Sequence, residues 1–304
     1  MSKSMILQMT GRAGRPGFDT FGTAVIMTSN EDKEYFSNID LDVVESTLPS
    51  ILTETICAEV SQRVIQTTLD CVDWLKNTFF YLRVKLNPTR YGFSSQFDDG
   101  QLDELLVEMC VRSLESLKEA DVVEYSDHIS IGTGDVVTVK ALPPALIMTK
   151  HMIKLATMSA LMKIASSGTI YDVLATISKA DEVAKPVLRS EKKVLNEMMK
   201  NARFPLKLKV QEPFHKAYVL LMSAVYKNKF DSFNVTVEQN RSHSVYTDFA
   251  LRVQQSEIVE QSLRLLSALF DFSLEESRGR VILSCLYVMR ALKLQIWEKG
   301  KNCC

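Results

Sequence analysis

The sequence predicts a mainly α-helical protein, with a short α/β piece at the front, a winged-helix unit in the middle and a bundle of about seven helices at the end. Three observations carry that expectation. From Val43 onward, apolar residues recur at three- and four-residue spacing, the mark of amphipathic helices. Strand-type runs are few and short: one at 22–27 and the others gathered between residues 122 and 139. Pro143-Pro144 then divides that stretch from one that reads as helical almost to the end.

In residues 1–38, Gln8-Met9-Thr10-Gly11-Arg12-Ala13-Gly14-Arg15-Pro16 follows a helix end or loop. Two arginines three apart, set between glycines, suit charge stabilisation on a phosphate, because a guanidinium is planar and always charged. The compact apolar run Gly22-Thr23-Ala24-Val25-Ile26-Met27 reads as a strand bounded by Ser29-Asn30. Such a short strand does not stand alone, so it is expected to be the last strand of an α/β domain lying upstream.

Residues 39–142 make the middle unit. Leu52, Ile56, Val60 and Val64 recur every four residues, and Leu69, Val72, Leu75 and Phe79 every three to four, giving two helices, the second placed for a cap by Asp70. Phe79-Phe80-Tyr81 reads as core rather than as a stacking platform. Asn87-Pro88 breaks the pattern and Tyr91-Gly92-Phe93 starts a loop. A third helix spans 102–120, with Leu105, Val107, Met109, Leu114 and Leu117 as its apolar set. Three short runs follow, at 122–125, 129–131 and 136–139. Helices closed by a small hairpin form a winged-helix pattern, which commonly reads nucleic acid through its third helix. Here that helix carries Asp103, Glu104, Glu108, Glu115 and Glu119, so it is a poor groove reader and the unit is expected to pack between domains. In residues 143–304 helices are expected at 145–165, 169–178, 187–201, 213–228, 246–252, 256–270 and 274–297, with longer connections at 201–212 and 231–245.

The net charge of −1 hides an asymmetry. Residues 30–128 hold 20 Asp and Glu against 8 Lys and Arg, whereas residues 140–229 hold 16 Lys and Arg against 6 Asp and Glu. A basic segment of this size suits a polyphosphate partner, since neutralised phosphates release counterions; a solvated face complementing the acidic segment explains it equally. Lys192, Lys193, Lys207 and Lys209 are candidates to line a nucleic-acid channel, although each alone is also an ordinary solvated lysine. The 46% hydrophobic and 24% charged content is that of a globular protein, and no apolar run reaches the roughly 18–20 residues of a membrane span. Met1-Ser2-Lys3-Ser4 opens no secretory h-region. Six cysteines without ligand-like spacing, and four histidines far from them, argue against a zinc site and for reduced, mostly buried thiols. The final Cys303-Cys304 lacks the four-residue prenylation pattern.

Gln8 to Pro16, with Phe18-Asp19 and Gly22-Thr23-Ala24-Val25-Ile26, closely resembles motif VI of superfamily-2 helicases of the Ski-two-like group. Ala58-Glu59, Trp74-Leu75, Thr78 to Arg83 and Asn87-Pro88 with Tyr91-Gly92-Phe93 resemble the winged helix of the same group, in the form nearest to the meiotic crossover (Mer-three type) helicases. Arg203-Phe204-Pro205, Asp248-Phe249-Ala250-Leu251 and Ile296-Trp297-Glu298 resemble stations of a Sec-sixty-three-type helical domain. The resemblance covers essentially the whole chain. It implies the remnant of a second RecA-like domain in 1–38, a winged helix in 39–142 and a ratchet-type helical domain in 143–304.

The same resemblance implies that Arg12 and Arg15 reach the γ-phosphate of ATP, which the full-length family binds with Mg2+. Arg15 is then the finger, Gln8 links nucleotide to the opposite domain, and Gly11 and Gly14 let the backbone come close. Phosphoryl transfer needs such a positioned positive charge. A ratchet helix is implied at about 256–270, with Arg264 placed to contact phosphate or stack on a base; an i,i+4 salt bridge to Glu260 is the alternative for that side chain. Departures from the family pattern fall at Ser267 (a second arginine in the family), Cys57 (usually asparagine) and Thr138-Val139-Lys140-Ala141-Leu142 (usually Thr-x-x-Gly-Arg). The expected function is an ATP-dependent 3′-to-5′ DNA helicase of meiotic recombination, nuclear, acting on single-stranded or branched DNA. An RNA helicase of the spliceosomal or exosome-associated type and a non-catalytic nucleic-acid-binding or interaction module are the alternatives. The 304 residues contain no Walker A segment and no DExH box, so ATP is not expected to bind well, nor to be hydrolysed, without the upstream helicase domains.

Overall fold

The computed structural model describes residues 3–15, 17–33, 36, 44–93, 99–131, 134–200, 202, 204–206, 209–226 and 241–294. The chain forms two compact units that interleave along the sequence: Met1–Pro49 with Phe79–Phe93, and Ser50–Thr78 with Ser94–Cys304. The first unit opens with α1 (Lys3–Thr10), which buries Ile6 and ends where Thr10 Oγ1 donates back to the Ile6 carbonyl at 3.0 Å. The strand expected at 22–27 is not formed. Residues 21–29 take no regular structure, and Phe21, Val25 and Met27 are exposed. Among the described residues the only sheet is a two-stranded hairpin elsewhere in the chain, so this run has no neighbour to complete a ladder.

In the second unit, α2 (Leu52–Ser61) buries Leu52, Ile56, Cys57 and Val60. It stops short of Val64 because Arg63 takes left-handed backbone (φ 62°); Val64 is exposed and Ile65 is buried in its stead. α3 (Thr68–Lys76) begins with a reciprocal cap. Thr67 is the N-cap residue, its hydroxyl accepting the Asp70 N–H at 3.1 Å, while Asp70 Oδ2 accepts the Thr67 N–H at 2.9 Å. Cys71, Val72 and Leu75 face inward, and Leu69 stays exposed. α4 (Phe79–Leu86) belongs to the first unit and splits the aromatic triplet: Phe80 is buried, Phe79 is exposed and Tyr81 is half-buried.

α5 (Asp99–Glu119) returns to the second unit with Leu102, Leu106, Cys110, Leu114 and Leu117 buried. Leu114 and Leu117 were in the expected set; Leu105 and Met109 are half-buried and Val107 is exposed. Spacing by twos scatters side chains around a helix, whereas the buried set repeats at four, four, four and three. All five acidic residues named above are exposed. The three strand-type runs merge into β1 (Val123–Ile131) and β2 (Gly134–Ala141), antiparallel from Val123↔Ala141 to Ile131↔Gly134, with an irregularity between Ser126 and His128. The Val139 N–H donates to the Gln66 carbonyl at 2.7 Å, tying the wing to the entry of α3. Helices α2, α3 and α5 with this hairpin complete the winged-helix arrangement.

The helix expected at 145–165 is two: α6 (Pro143–His151) and α7 (Leu155–Met162). Met152 takes left-handed backbone (φ 49°), and the N–H groups of Met152 and Ile153 donate to the carbonyls of Thr149 and Met148, a Schellman-type stop. α8 (Ile170–Ser178) carries a second capping box, from Thr169 and Asp172. α9 (Lys192–Lys200) and α10 (Pro213–Tyr226) follow. α11 (Arg241–Glu275) fuses the two helices expected at 246–252 and 256–270 into one of 35 residues; it also takes in 241–245, expected as connection. The rest of that connection, 231–240, lies outside the described residues. α12 (Gly279–Leu294) starts later than expected, since Ser277 is left-handed (φ 54°) and the Arg278 N–H closes onto the Ser273 carbonyl at 2.8 Å. α11 packs on α6, α10 and α12, with Ile258, Leu265, Leu266 and Leu269 fully buried. The thiols of Cys57, Cys71, Cys110 and Cys285 are free and buried, and burial pushes Cys57 up to about 11. Cys303 and Cys304 lie outside the described residues.

Candidate functional site

The arginine segment forms a loop whose shape depends on two glycines. Gln8 lies on the exposed side of α1, and after Thr10 the chain turns, Arg12 N–H donating to Met9 and Ala13 N–H to Thr10. Gly14 has φ +85°, a conformation L side chains rarely adopt. Gly22 lies so close that a Cβ there would meet the Ala13 carbon and oxygen at 2.5 Å, and the loop from 14 to 22 closes on itself. Asp19 braces the turn: its Oδ2 accepts the Arg15 N–H at 2.8 Å, and its own N–H returns to the Arg15 carbonyl at 2.9 Å. Arg12 and Arg15 are exposed, as are Gly11 and Gln8, whereas Pro16 lies outside the described residues. The arrangement offers two solvent-facing guanidinium groups on a backbone fixed locally by Gly14, Asp19 and Gly22.

Arg264 sits on α11 and does not pair with Glu260. Its Nη1 donates to the Met152 carbonyl at 3.2 Å, and its Nε is buried with no hydrogen-bond partner among the described residues. The left-handed turn after α6 thus aims a carbonyl at the arginine, a partner that no helix-spacing argument could find. Ser267 donates to the Leu263 carbonyl within its own helix at 2.9 Å. One turn beyond, Asp271 accepts from Lys150 Nζ and bonds His151 Nε2, both at 2.7 Å. Burial pushes its carboxyl up, but His151 and Lys150 pull it below the usual carboxylate range. Lys192 and Lys193 are exposed on the first turn of α9. Lys209 is exposed beside Val210, whose N–H donates to Asn196 of that helix at 2.9 Å, so these three lysines share one corner of the fold. Lys207 lies outside the described residues.

Motif residues of the middle unit have a structural role that sequence reading left as a loop. Glu45 receives Arg83 through Nε at 3.0 Å and Nη2 at 2.8 Å, together with Asn87 Nδ2 at 3.0 Å and Tyr91 Oη at 2.8 Å. The Ser46 N–H donates to the same tyrosine at 2.8 Å. Hydrogen bonds from Arg83 and Asn87 lower the Glu45 pKa to about 2. The Asn-Pro-x-x-Tyr-Gly spacing is therefore that of a clamp, with the 3-10 turn Pro88–Tyr91 ended by Gly92 at φ 83°. At the helical end, Phe204 of the Arg-Phe-Pro station accepts the Tyr218 hydroxyl through its carbonyl at 2.9 Å; Arg203 and residues 296–298 lie outside the described residues. Among the described residues no cluster of three His, Cys, Asp or Glu could hold a metal, and no helix is long and apolar enough to cross a membrane.

A winged helix followed by seven described helices, with a glycine-braced arginine loop ahead of both, defines the class of protein by architecture. Residues 45–125 match the model of a winged helix-turn-helix domain, and residues 141–299, just over half of the chain, match the Sec63 Brl domain. The chain belongs to the Sec63 Brl domain family. It is 29% identical over 99% of its length to the probable ATP-dependent DNA helicase HFM1 of Mus musculus, covering 20% of that protein. It is 26% identical over 96% of its length to the ATP-dependent DNA helicase MER3 of Saccharomyces cerevisiae, covering 24% of it. The pre-mRNA-splicing factor brr2 of Schizosaccharomyces pombe is 24% identical over 98% of the chain, which covers 13% of that relative. The chain thus spans a quarter or less of the length of these relatives.

Proposed function

We propose that these residues form the strand-handling end of an ATP-dependent 3′-to-5′ DNA helicase acting in meiotic crossover formation in the nucleus. One observation carries the reading: similarity to a protein named as a DNA helicase runs through 99% of the chain, from the arginine loop to α12. In this reading the chain divides into 1–38, the end of a RecA-like domain; 39–142, the winged helix; and 143–304, the ratchet-type helical domain. Arg12 and Arg15 stabilise charge on the γ-phosphate of Mg2+-bound ATP when an opposing domain closes, and Arg15 is the finger. Gln8 links the nucleotide to that domain, while Gly11 and Gly14 allow close approach. Arg264 touches the translocated strand with a nitrogen it does not spend on Met152, and Lys192, Lys193, Lys207 and Lys209 attract its phosphates.

The 304 residues on their own hydrolyse no ATP, since they lack the Walker A and DExH segments that hold phosphate and Mg2+. The test is fluorescence anisotropy of the chain with single-stranded DNA across a salt series, beside an ATPase assay. Binding that weakens steeply with salt is expected; absence of binding at low salt would leave an interaction module, and nucleic-acid-stimulated hydrolysis would overturn the inactive assignment. A second reading, an RNA helicase, is favoured by the match to brr2 over 98% of the chain. An RNA strand of the same base sequence in the same assay decides between them: tighter RNA binding selects the second.

A further inference from the structure

A pocket of about 650 Å³ lies between α2 and the α6–α7 turn, in the second unit. Its volume is in the range that holds a small ligand or a few side chains. Met148 and Ile153 are buried at its base; Ile51 and Met152 stand at its rim, 51% and 79% exposed. Leaving two large apolar side chains in water beside a preformed cavity is unfavourable, and methionine adapts to varied apolar guests. The charged lining is Glu54, Asp181 and Lys154. The lysine is already taken, its Nζ held by Asp181 at 3.3 Å. Glu54 spends Oε1 on the Leu155 N–H at 3.3 Å, and its Oε2 has no hydrogen-bond partner among the described residues. Glu182 stands next to Asp181 and accepts the Lys154 N–H at 2.9 Å, adding a further negative charge at the start of α7.

An apolar cavity beside carboxylates repels phosphate and favours an apolar group carrying a nearby cation. We propose that this pocket docks a peptide segment of a partner protein that carries a leucine-sized anchor and an arginine or lysine a few residues away. The anchor enters between Ile51 and Met152, and the cation meets Glu54 Oε2. This goes beyond the nucleic-acid reading; because Arg264, given a strand contact above, holds the Met152 carbonyl at the pocket's rim, the Met148 methyl at the base is the readout that separates the two.

The test uses the 304-residue chain with 13C-methyl methionine and the peptide Ac-Leu-Ala-Ala-Arg-NH2, with Ac-Leu-Ala-Ala-Glu-NH2 and Ac-Ala-Ala-Ala-Arg-NH2 as controls. The arginine peptide is expected to shift the Met148 and Met152 methyl resonances, and both controls to bind at least about threefold more weakly. Glu54→Gln, which keeps an acceptor for Leu155, lowers the arginine peptide's affinity by about threefold, as a partly exposed ion pair does. Ala156→Trp fills the pocket from an exposed position and abolishes the shifts, while a thermal melt verifies folding. Equal binding of the arginine and glutamate peptides, no methyl shift at millimolar peptide, shifts that survive Ala156→Trp in the folded protein, or an oligothymidylate that shifts the Met148 methyl as the arginine peptide does would overturn it.

Discussion

The arginines of the loop and those of the helical and clamp regions are used in opposite ways. Arg12 and Arg15 stand in solvent on a backbone held by Gly14, Asp19 and Gly22. Arg83 is buried in a bidentate contact with Glu45, and Arg278 Nη1 reaches the Met162 and Ile164 carbonyls at 3.1 and 2.7 Å while its guanidinium lies over the Phe272 ring. Bound arginines fasten helix ends and turns; the loop arginines have only their own backbone fixed. The difference separates charge that stabilises the fold from charge left available to a ligand.

The largest expected effect lies on the bound side, in the helical region. Lys216 and Glu191 are 1% and 2% exposed and 2.7 Å apart, with Lys216 Nζ also donating to the Pro186 carbonyl at 2.9 Å. Glu191→Ala strands a buried ammonium and is expected to cost about 3–5 kcal/mol in chemical denaturation. Replacing both, Glu191→Leu with Lys216→Met, removes the stranded charge and returns most of that loss. Arg12→Ala and Arg15→Ala, by contrast, should move stability by less than about 0.5 kcal/mol. A loss of several kcal/mol from either would mean that the loop arginines are structural and the contrast false.

Next comes the loop's own frame. Gly22→Ala places a methyl group 2.5 Å from the Ala13 backbone, so either the loop opens or the backbone shifts, at roughly 1–3 kcal/mol of local strain. Amide exchange at Arg15 and Asp19 should quicken while the α10–α12 core exchanges as before. Unchanged protection at Asp19 would show that Gly22 does not frame the loop.

The acid response distinguishes the clamp from the loop. Glu45 is held to about 2 when folded, below its ordinary value near 4.5, so its contribution is complete above the ordinary value. It is lost as pH falls through 4.5 toward 2. Asp271 and Asp172 are lowered in the same direction. Denaturation midpoints should therefore drop below pH 4.5, and Glu45→Gln should flatten that drop. An identical acid profile in the variant would remove Glu45 from the account.

Much of this was legible in the sequence, and the failures share a cause. Helix periodicity placed α2, α3, α5 and the helical stretches of the end region, because those patterns are local, but it joined α6 to α7 and divided α11. The breaks inside them were invisible: Arg63, Met152 and Ser277 are non-glycine residues in left-handed backbone, and no composition signal marks such a position. The run 22–27 has strand composition, yet a strand exists only by pairing with another strand. Asp70 does cap the second helix as expected, but as one half of a capping box whose N-cap residue, Thr67, the spacing did not single out. Arg264 could be singled out by resemblance alone; its partner Met152 is 112 residues away and meets it only through the turn between α6 and α7.

That turn gives the smallest expected effect and ties the two uses of arginine together. Met152 holds φ 49° without being glycine, a conformation that costs a β-carbon-bearing residue roughly 1 kcal/mol. Its side chain is 79% exposed, so little burial is lost when it is removed. Met152→Gly should therefore raise stability by about 0.5–1 kcal/mol, read from the denaturation midpoint, and keep the carbonyl that holds Arg264. Gly14 already uses a glycine for a left-handed turn, at φ +85° in the loop with free arginines. At residue 152 a methionine occupies the equivalent geometry and extends its side chain over the pocket beside α2. A midpoint that falls on Met152→Gly would mean that the exposed methionine contributes packing its accessibility does not show, and that Arg264 is anchored by more than a carbonyl.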